Sequence, residues 1–90
     1  MQITTVKRYT TRAILEDITL YSFTAKSGKE ANIVTLHTDD GKYTGNLSTW
    51  RNQHIQESEL HPGTPLDITY TLYHKGDRTF RNFQGVQVAR

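Results

Sequence analysis

The strictest constraint in this chain is an alternation. Residues 66–73 read Leu-Asp-Ile-Thr-Tyr-Thr-Leu-Tyr. Leu66, Ile68, Tyr70 and Leu72 fall on one face at period two, and Asp67, Thr69, Thr71 and Tyr73 on the other. That pattern makes a half-buried strand, not a helix. Lys75-Gly76-Asp77 then marks a turn. A second extended segment follows over about 79–89, with Val86 and Val88 inward and Gly85 read as a bulge. Together they predict a hairpin whose tip mixes rings with cations: Tyr73, Phe80 and Phe83 among His74, Lys75, Arg78 and Arg81. Phe80 and Phe83 have opposite parity, so a regular strand cannot turn both inward. Phe83 is read as core and Phe80 as surface.

The rest of the chain is also strand-like. Threonine, β-branched and aromatic residues recur, and turn signals stand at Ser27-Gly28, Asp39-Asp40-Gly41 and His61-Pro62-Gly63. A first strand is expected over about 11–24. Ile14, Ile18 and Leu20 share one face, Tyr21 and Phe23 the other, and Glu16-Asp17 marks a bend or bulge. A second strand, about 31–38, places Val34 and Leu36 on one face and Ile33, Thr35 and His37 on the other. Asp40-Gly41 then turns the chain into a third strand, about 42–47, with Tyr43, Gly45 and Leu47 on one face. A short helix follows, capped by Ser48 or Thr49, running through "WRNQHIQES" with Ile55 as its apolar anchor. Residues 1–10 read as an added strand or arm. The order is three strands, a helix and two strands. We therefore expect an all-β fold: one domain over residues 1–90, forming a small five-stranded barrel of the OB type with the helix between strands 3 and 4.

Composition narrows the chemistry. The chain has 90 residues and no cysteine, so disulfides, zinc–thiolate centres and cysteine catalysis are excluded. No apolar run reaches the length of a membrane span, and "MQITTVKRYT" lacks a signal-peptide core. A cytoplasmic protein with no membrane association is expected. The four histidines, 37, 54, 61 and 74, fit no compact metal-ligand spacing. "SGKE" lacks the upstream glycine and the following Ser/Thr of a phosphate-binding loop. Asp39-Asp40 read as turn residues. No nucleophile–base pair stands out, so neither enzymatic activity, metal nor cofactor is expected.

Charge points elsewhere. The formal net charge is +2, but it is unevenly spread. Lys7, Arg8 and Arg12 face no acid within residues 1–12, and Lys75, Arg78, Arg81 and Arg90 face Asp77 alone within residues 74–90. Basic ends brought together would attract polyanions. The binding face of an OB barrel uses strands 2 and 3 and the loops 1–2 and 4–5. Here those loops, "AKSGKE" and "HKGDR", are both basic. Single-stranded nucleic acid binds by bases stacking on rings and phosphates meeting cations. The stacking candidates are Tyr43, Trp50, Tyr73 and Phe80. The phosphate or polar candidates are Lys26, Lys29, Lys42, Arg51, His74, Lys75, Arg78 and Arg81. Tyr43 reads equally as a cross-strand partner, and Trp50 as a core ring at the barrel bottom.

Three segments resemble the OB-fold single-stranded DNA-binding proteins of bacteria and their phages: "SGKEANIVTLHTDDGKY", "GNLSTWRNQHIQESELHPGTPLDITYTL" and "GDRTFRNFQGVQV". In that family an aromatic just after strand three, often stacked on DNA, is commonly followed by Gly-Lys. Here Trp50 is followed by Arg51-Asn52, so the ring and cation are kept without the glycine. The family's acidic C-terminal tail has no counterpart before Arg90. The resemblance implies a minimal barrel of a phage or mobile element that binds single-stranded DNA without sequence preference, in replication or recombination. Bacterial members associate through sheet edges, and whether this chain is a homo-oligomer of that kind is left open by the sequence. Single-stranded RNA is the alternative ligand, and a protein-interaction module the alternative function.

Overall fold

The computed structural model describes residues 6–89. It contains β1 (Tyr9–Thr24), β2 (Glu30–Thr38), β3 (Gly41–Asn46), a short helix α1 (Leu47–Arg51), a 3-10 turn (Glu57–Glu59), β4 (Pro65–Lys75) and β5 (Arg78–Val88). The five strands close into one sheet in the order β1-β2-β3-β5-β4. Neighbours are antiparallel except β3 and β5, which run parallel through the pair Thr44 and Asn82.

Closure depends on β1 serving two partners. Residues Tyr9–Ile14 pair with β4, and Leu15–Thr24 pair with β2. The changeover lies between Ile14 and Leu15, and directly after it Glu16 is left over, with Leu15 opposite Thr38 and Asp17 opposite His37. This bulge, at the expected Glu16-Asp17 position, inverts the strand's parity. Ala13 and Leu15 are therefore the buried residues before it, while Ile14 is exposed and does not share the Ile18 face. The expected separate strand over residues 1–10 is not formed among the described residues. Residues 6–8 lie outside any strand, Tyr9 and Thr10 open β1, and residues 1–5 lie outside the described residues.

A second bulge works the same way in β5. Thr69 pairs with Gly85 and Tyr70 with Phe83, leaving Gln84 unpaired and exposed. The bulge therefore falls one residue before the expected Gly85. It lets Phe83 and Val86 both turn inward although their numbers differ by three. Phe83, Tyr43, Leu36, Leu66, Ile68, Val34 and Val86 are the fully buried core side chains. Leu72 keeps inward parity but lies beyond the closed part of the sheet, and is exposed against expectation.

Helix α1 closes one end. The Asn46 side chain, not Ser48 or Thr49, caps it by accepting from the Thr49 amide at 2.7 Å. The helix stops at Arg51, well short of the expected span. His54 adopts a left-handed backbone conformation with φ 55°, and the Gln53 side chain accepts from the Val86 amide at 3.0 Å, tying the segment to β5. Leu47, Trp50, Ile55 and Leu60 pack on the core from this side.

Candidate functional site

The strand registers assemble one outward face in three rows. Tyr21, Ile33 and Asn46 form the first row, across β1, β2 and β3. Thr19, Thr35, Thr44 and Asn82 form the second and extend it to β5. Asp17, His37 and Lys42 form the third. Period-two alternation puts these residues outside because Val34, Leu36 and Tyr43 between them go to the core. The β4–β5 hairpin continues the face with Tyr73 opposite Phe80.

Two grooves open on this face. One, of about 430 Å³, is lined by Ile33, Thr44, Tyr73, Phe80 and Asn82. The other, of about 530 Å³, is lined chiefly by Thr19, Thr35, His37, Lys42 and Thr79, with Arg81 at its side. Phe80 and Thr44 border both. No Asp or Glu lines either groove. The Thr19 hydroxyl and His37 Nε2 are hydrogen-bonded at 3.0 Å, which fixes the imidazole on the groove wall.

Of the expected stacking rings, Tyr73 is 57% exposed and Phe80 38% exposed. Their centroids lie 6.5 Å apart with planes tilted by 36°. Phe80 stands at the surface and Phe83 in the core, as parity requires. Tyr43 is a correction. Its ring is fully buried, with 0% exposure, and offers no face to a base. Its inward parity at the barrel mouth overrides its position next to a hairpin turn. Trp50 is a second correction. It is half-buried, edge-on to Phe83 at 6.2 Å, and lines neither groove.

The cations divide similarly. Lys26 and Lys29 are exposed in the β1–β2 loop, and Lys75 and Arg78 form an exposed opposing pair at the β4–β5 tip. Lys42 is exposed on the groove wall. Arg51 is exposed in the last turn of α1, apart from both grooves. His74 bonds the Thr79 hydroxyl through Nδ1 at 3.1 Å and lies on the opposite side of the hairpin from Tyr73. Arg81 is a third correction: it is not a free cation. Its guanidinium donates to the Tyr43 hydroxyl at 2.7 Å, the Asp40 carbonyl at 2.7 Å and the Asp40 carboxylate at 3.1 Å. The Tyr43 hydroxyl donates to the same carboxylate at 2.8 Å. Burial first, and then this bond to Asp40, push the Tyr43 phenol well above its ordinary pKa. The Tyr43 bond, aided by the charge of Arg81, holds Asp40 below the usual carboxylate value.

Sequence reading missed a second ring pair. Tyr21 and Phe23 lie 5.6 Å apart on the outward face of β1, Tyr21 directly opposite Ile33. Both are exposed. Their shared parity was visible in the sequence, but their neighbour Ile33 emerges only from the β1–β2 register. No protein-family model, curated protein or solved structure matches this chain.

Proposed function

We propose that this protein is a non-catalytic binder of single-stranded nucleic acid, with single-stranded DNA as its ligand and little sequence preference. The observation that carries the reading is the exposed Tyr73–Phe80 pair bordering grooves that no acid lines, with Lys42 on one wall and Lys75 and Arg78 at the hairpin tip. Rings of this kind stack on bases at roughly 1–3 kcal/mol each, and cations beside them meet phosphates. The strand order, with a helix between β3 and β4, supports an OB-fold. A role in replication or recombination and a cytoplasmic setting complete the proposal. Among the described residues no helix is long and apolar enough to cross a membrane.

The test is fluorescence anisotropy of labelled oligo-dT titrated with protein at several salt concentrations, with RNA and duplex DNA in parallel. Binding of oligo-dT that weakens steeply with salt is expected. Absence of binding, or affinity indifferent to salt, would defeat the reading. The label is the better probe because Trp50 sits against Phe83 away from the grooves.

One observation favours a second reading, that of a protein-interaction module. Residues 18–25, Ile-Thr-Leu-Tyr-Ser-Phe-Thr-Ala, carry no charge, and Leu20, Tyr21 and Phe23 are exposed there. β1 pairs on one side with β2 over this stretch, and its pairing with β4 ends at Ile14. Such an edge lacks the charges that commonly protect sheets, and suits strand addition by another chain or a second copy.

A further inference from the structure

We infer that the two grooves form a single compartmented site for one nucleotide unit, the base entering the apolar slot and its phosphate the hydroxyl- and cation-lined channel, with Phe80 and Thr44 as the shared wall. This rests on the nucleic-acid reading above and goes beyond it, because it assigns each half of a nucleotide to named residues.

The slot favours a base over an aliphatic group. Ile33, Tyr73 and Phe80 supply apolar and aromatic walls, but Asn82 stands among them. Its backbone is paired in register with Thr44, while its side-chain amide has no hydrogen-bond partner among the described residues. An amide offers two donors and an acceptor. A purely aliphatic occupant would strip water from that amide and return nothing, at a net cost. A flat ring with a polar edge covers Phe80 and Ile33 while meeting Asn82. The slot's volume of about 430 Å³ leaves room for a base and its sugar.

The channel has the opposite chemistry. Thr19 and Thr35 supply hydroxyls, Lys42 an ammonium with no ion-pair partner among the described residues, and His37 an imidazole whose Nε2 is bonded to the Thr19 hydroxyl, while the Thr79 hydroxyl on the rim is bonded to His74. Arg81 adds positive charge that Asp40 partly offsets at 3.1 Å. The nearest carboxylate by register, Asp17, lies opposite His37 but accepts from the Ile18 amide at 2.8 Å and is not a wall of the channel. Hydroxyls beside an ammonium with no lining acid suit a phosphate oxygen. Because the two compartments meet at Phe80, one nucleotide can fill both, and neither half alone gains the whole interaction.

Amide-resolved NMR titrations with thymidine, inorganic phosphate and thymidine monophosphate test this directly. Thymidine is expected to move the amides of Ile33, Thr44, Tyr73, Phe80 and Asn82. Phosphate is expected to move Thr19, His37 and Lys42. The monophosphate should move both sets and bind at least about tenfold more tightly than either half, as one charge-assisted contact added to one stacked base implies. Lys42→Gln should reduce the monophosphate to thymidine-like affinity, and Phe80→Ser to phosphate-like affinity. Both residues are exposed, and each variant's amide spectrum reports its fold. Phosphate shifts confined to the Lys75–Arg78 turn would overturn the inference, as would no shift with the monophosphate or an affinity no greater than that of the better half. If oligo-dT still binds in that case, the nucleic-acid reading stands and the compartment assignment falls. If oligo-dT does not bind either, both fall.

Discussion

The guanidinium of Arg81 lies 4.0 Å from the centroid of the Tyr43 ring and donates to the hydroxyl of the same residue at 2.7 Å. One cation thus covers the ring and holds its polar tip, and bridges β5 to the β2–β3 turn through Asp40. Gly41 is the companion of this arrangement. Its φ is +107°, and a Cβ there would stand 2.3 Å from the Arg81 guanidinium. Arg81→Ala is therefore expected to cost about 1–3 kcal/mol of stability through its lost charged hydrogen bonds and cation–π contact. Arg78→Ala, at the exposed hairpin tip, should change stability by less than about 0.5 kcal/mol and lower the salt slope of oligo-dT binding by about one. Chemical denaturation and salt titration of both variants check the division. Equal losses of stability would refute it.

The same cluster sets the response to pH. Asp40, bonded by Tyr43, and Asp67, bonded by Arg12, have pKa values below those they take in an unfolded chain. Their stabilising contribution is present above about pH 4 and is lost as pH falls through the lowered native values. Tyr43 is shifted the other way, chiefly by burial. Its contribution is complete below about pH 10 and is lost as pH rises beyond it. Urea midpoints measured across pH should fall at both extremes. Asp40→Asn should flatten the acid side, and Tyr43→Phe the alkaline side.

Gly45 lies beneath the Phe83 ring. A Cβ there would stand 2.5 Å from ring carbon Cζ, and the ring, fully buried, has little room to retreat. Gly45→Ala should therefore destabilise by at least about 1–3 kcal/mol through overpacking, a Tm drop of at least about 5 °C. A thermal melt matching the parent protein would contradict the packing described.

The Tyr21–Phe23 pair separates the two functional readings. Replacing both rings by Ser removes exposed surface, so the melting temperature should change by at most a few degrees. If the pair extends the nucleic-acid face, affinity for longer oligo-dT falls by roughly fivefold or more, the equivalent of one lost stack. If this edge of β1 is a docking surface for a second copy, oligo-dT affinity is unchanged and self-association, read by sedimentation, is lost.

Much of this architecture was legible in the alternation. The faces of β2 and β3, the inward Leu66 and Ile68, and the opposite fates of Phe80 and Phe83 all follow from period two. Failures arose where period two is interrupted or where parity and burial part company. The bulge at Glu16 turned Ile14 out and Ala13 in. Leu72 has inward parity but lies beyond the end of the closed sheet, where it stays 41% exposed. Tyr43 and Arg81 looked like a ring and a cation available to a ligand, yet each is the other's partner. The grooves were harder to foresee, because Ile33, Thr44 and Asn82 become neighbours only through the β2–β3 and β3–β5 registers.

Gln84 carries a message that its side chain does not. It faces solvent and has no opposite number on β4, so exchanging it for another polar residue should pass unnoticed. Removing it is another matter. Without that extra step, Phe83 and Val86 could not both point inward, and one end of β5 would present its wrong side to the barrel. At this position the chain is read by its length and not by its letter.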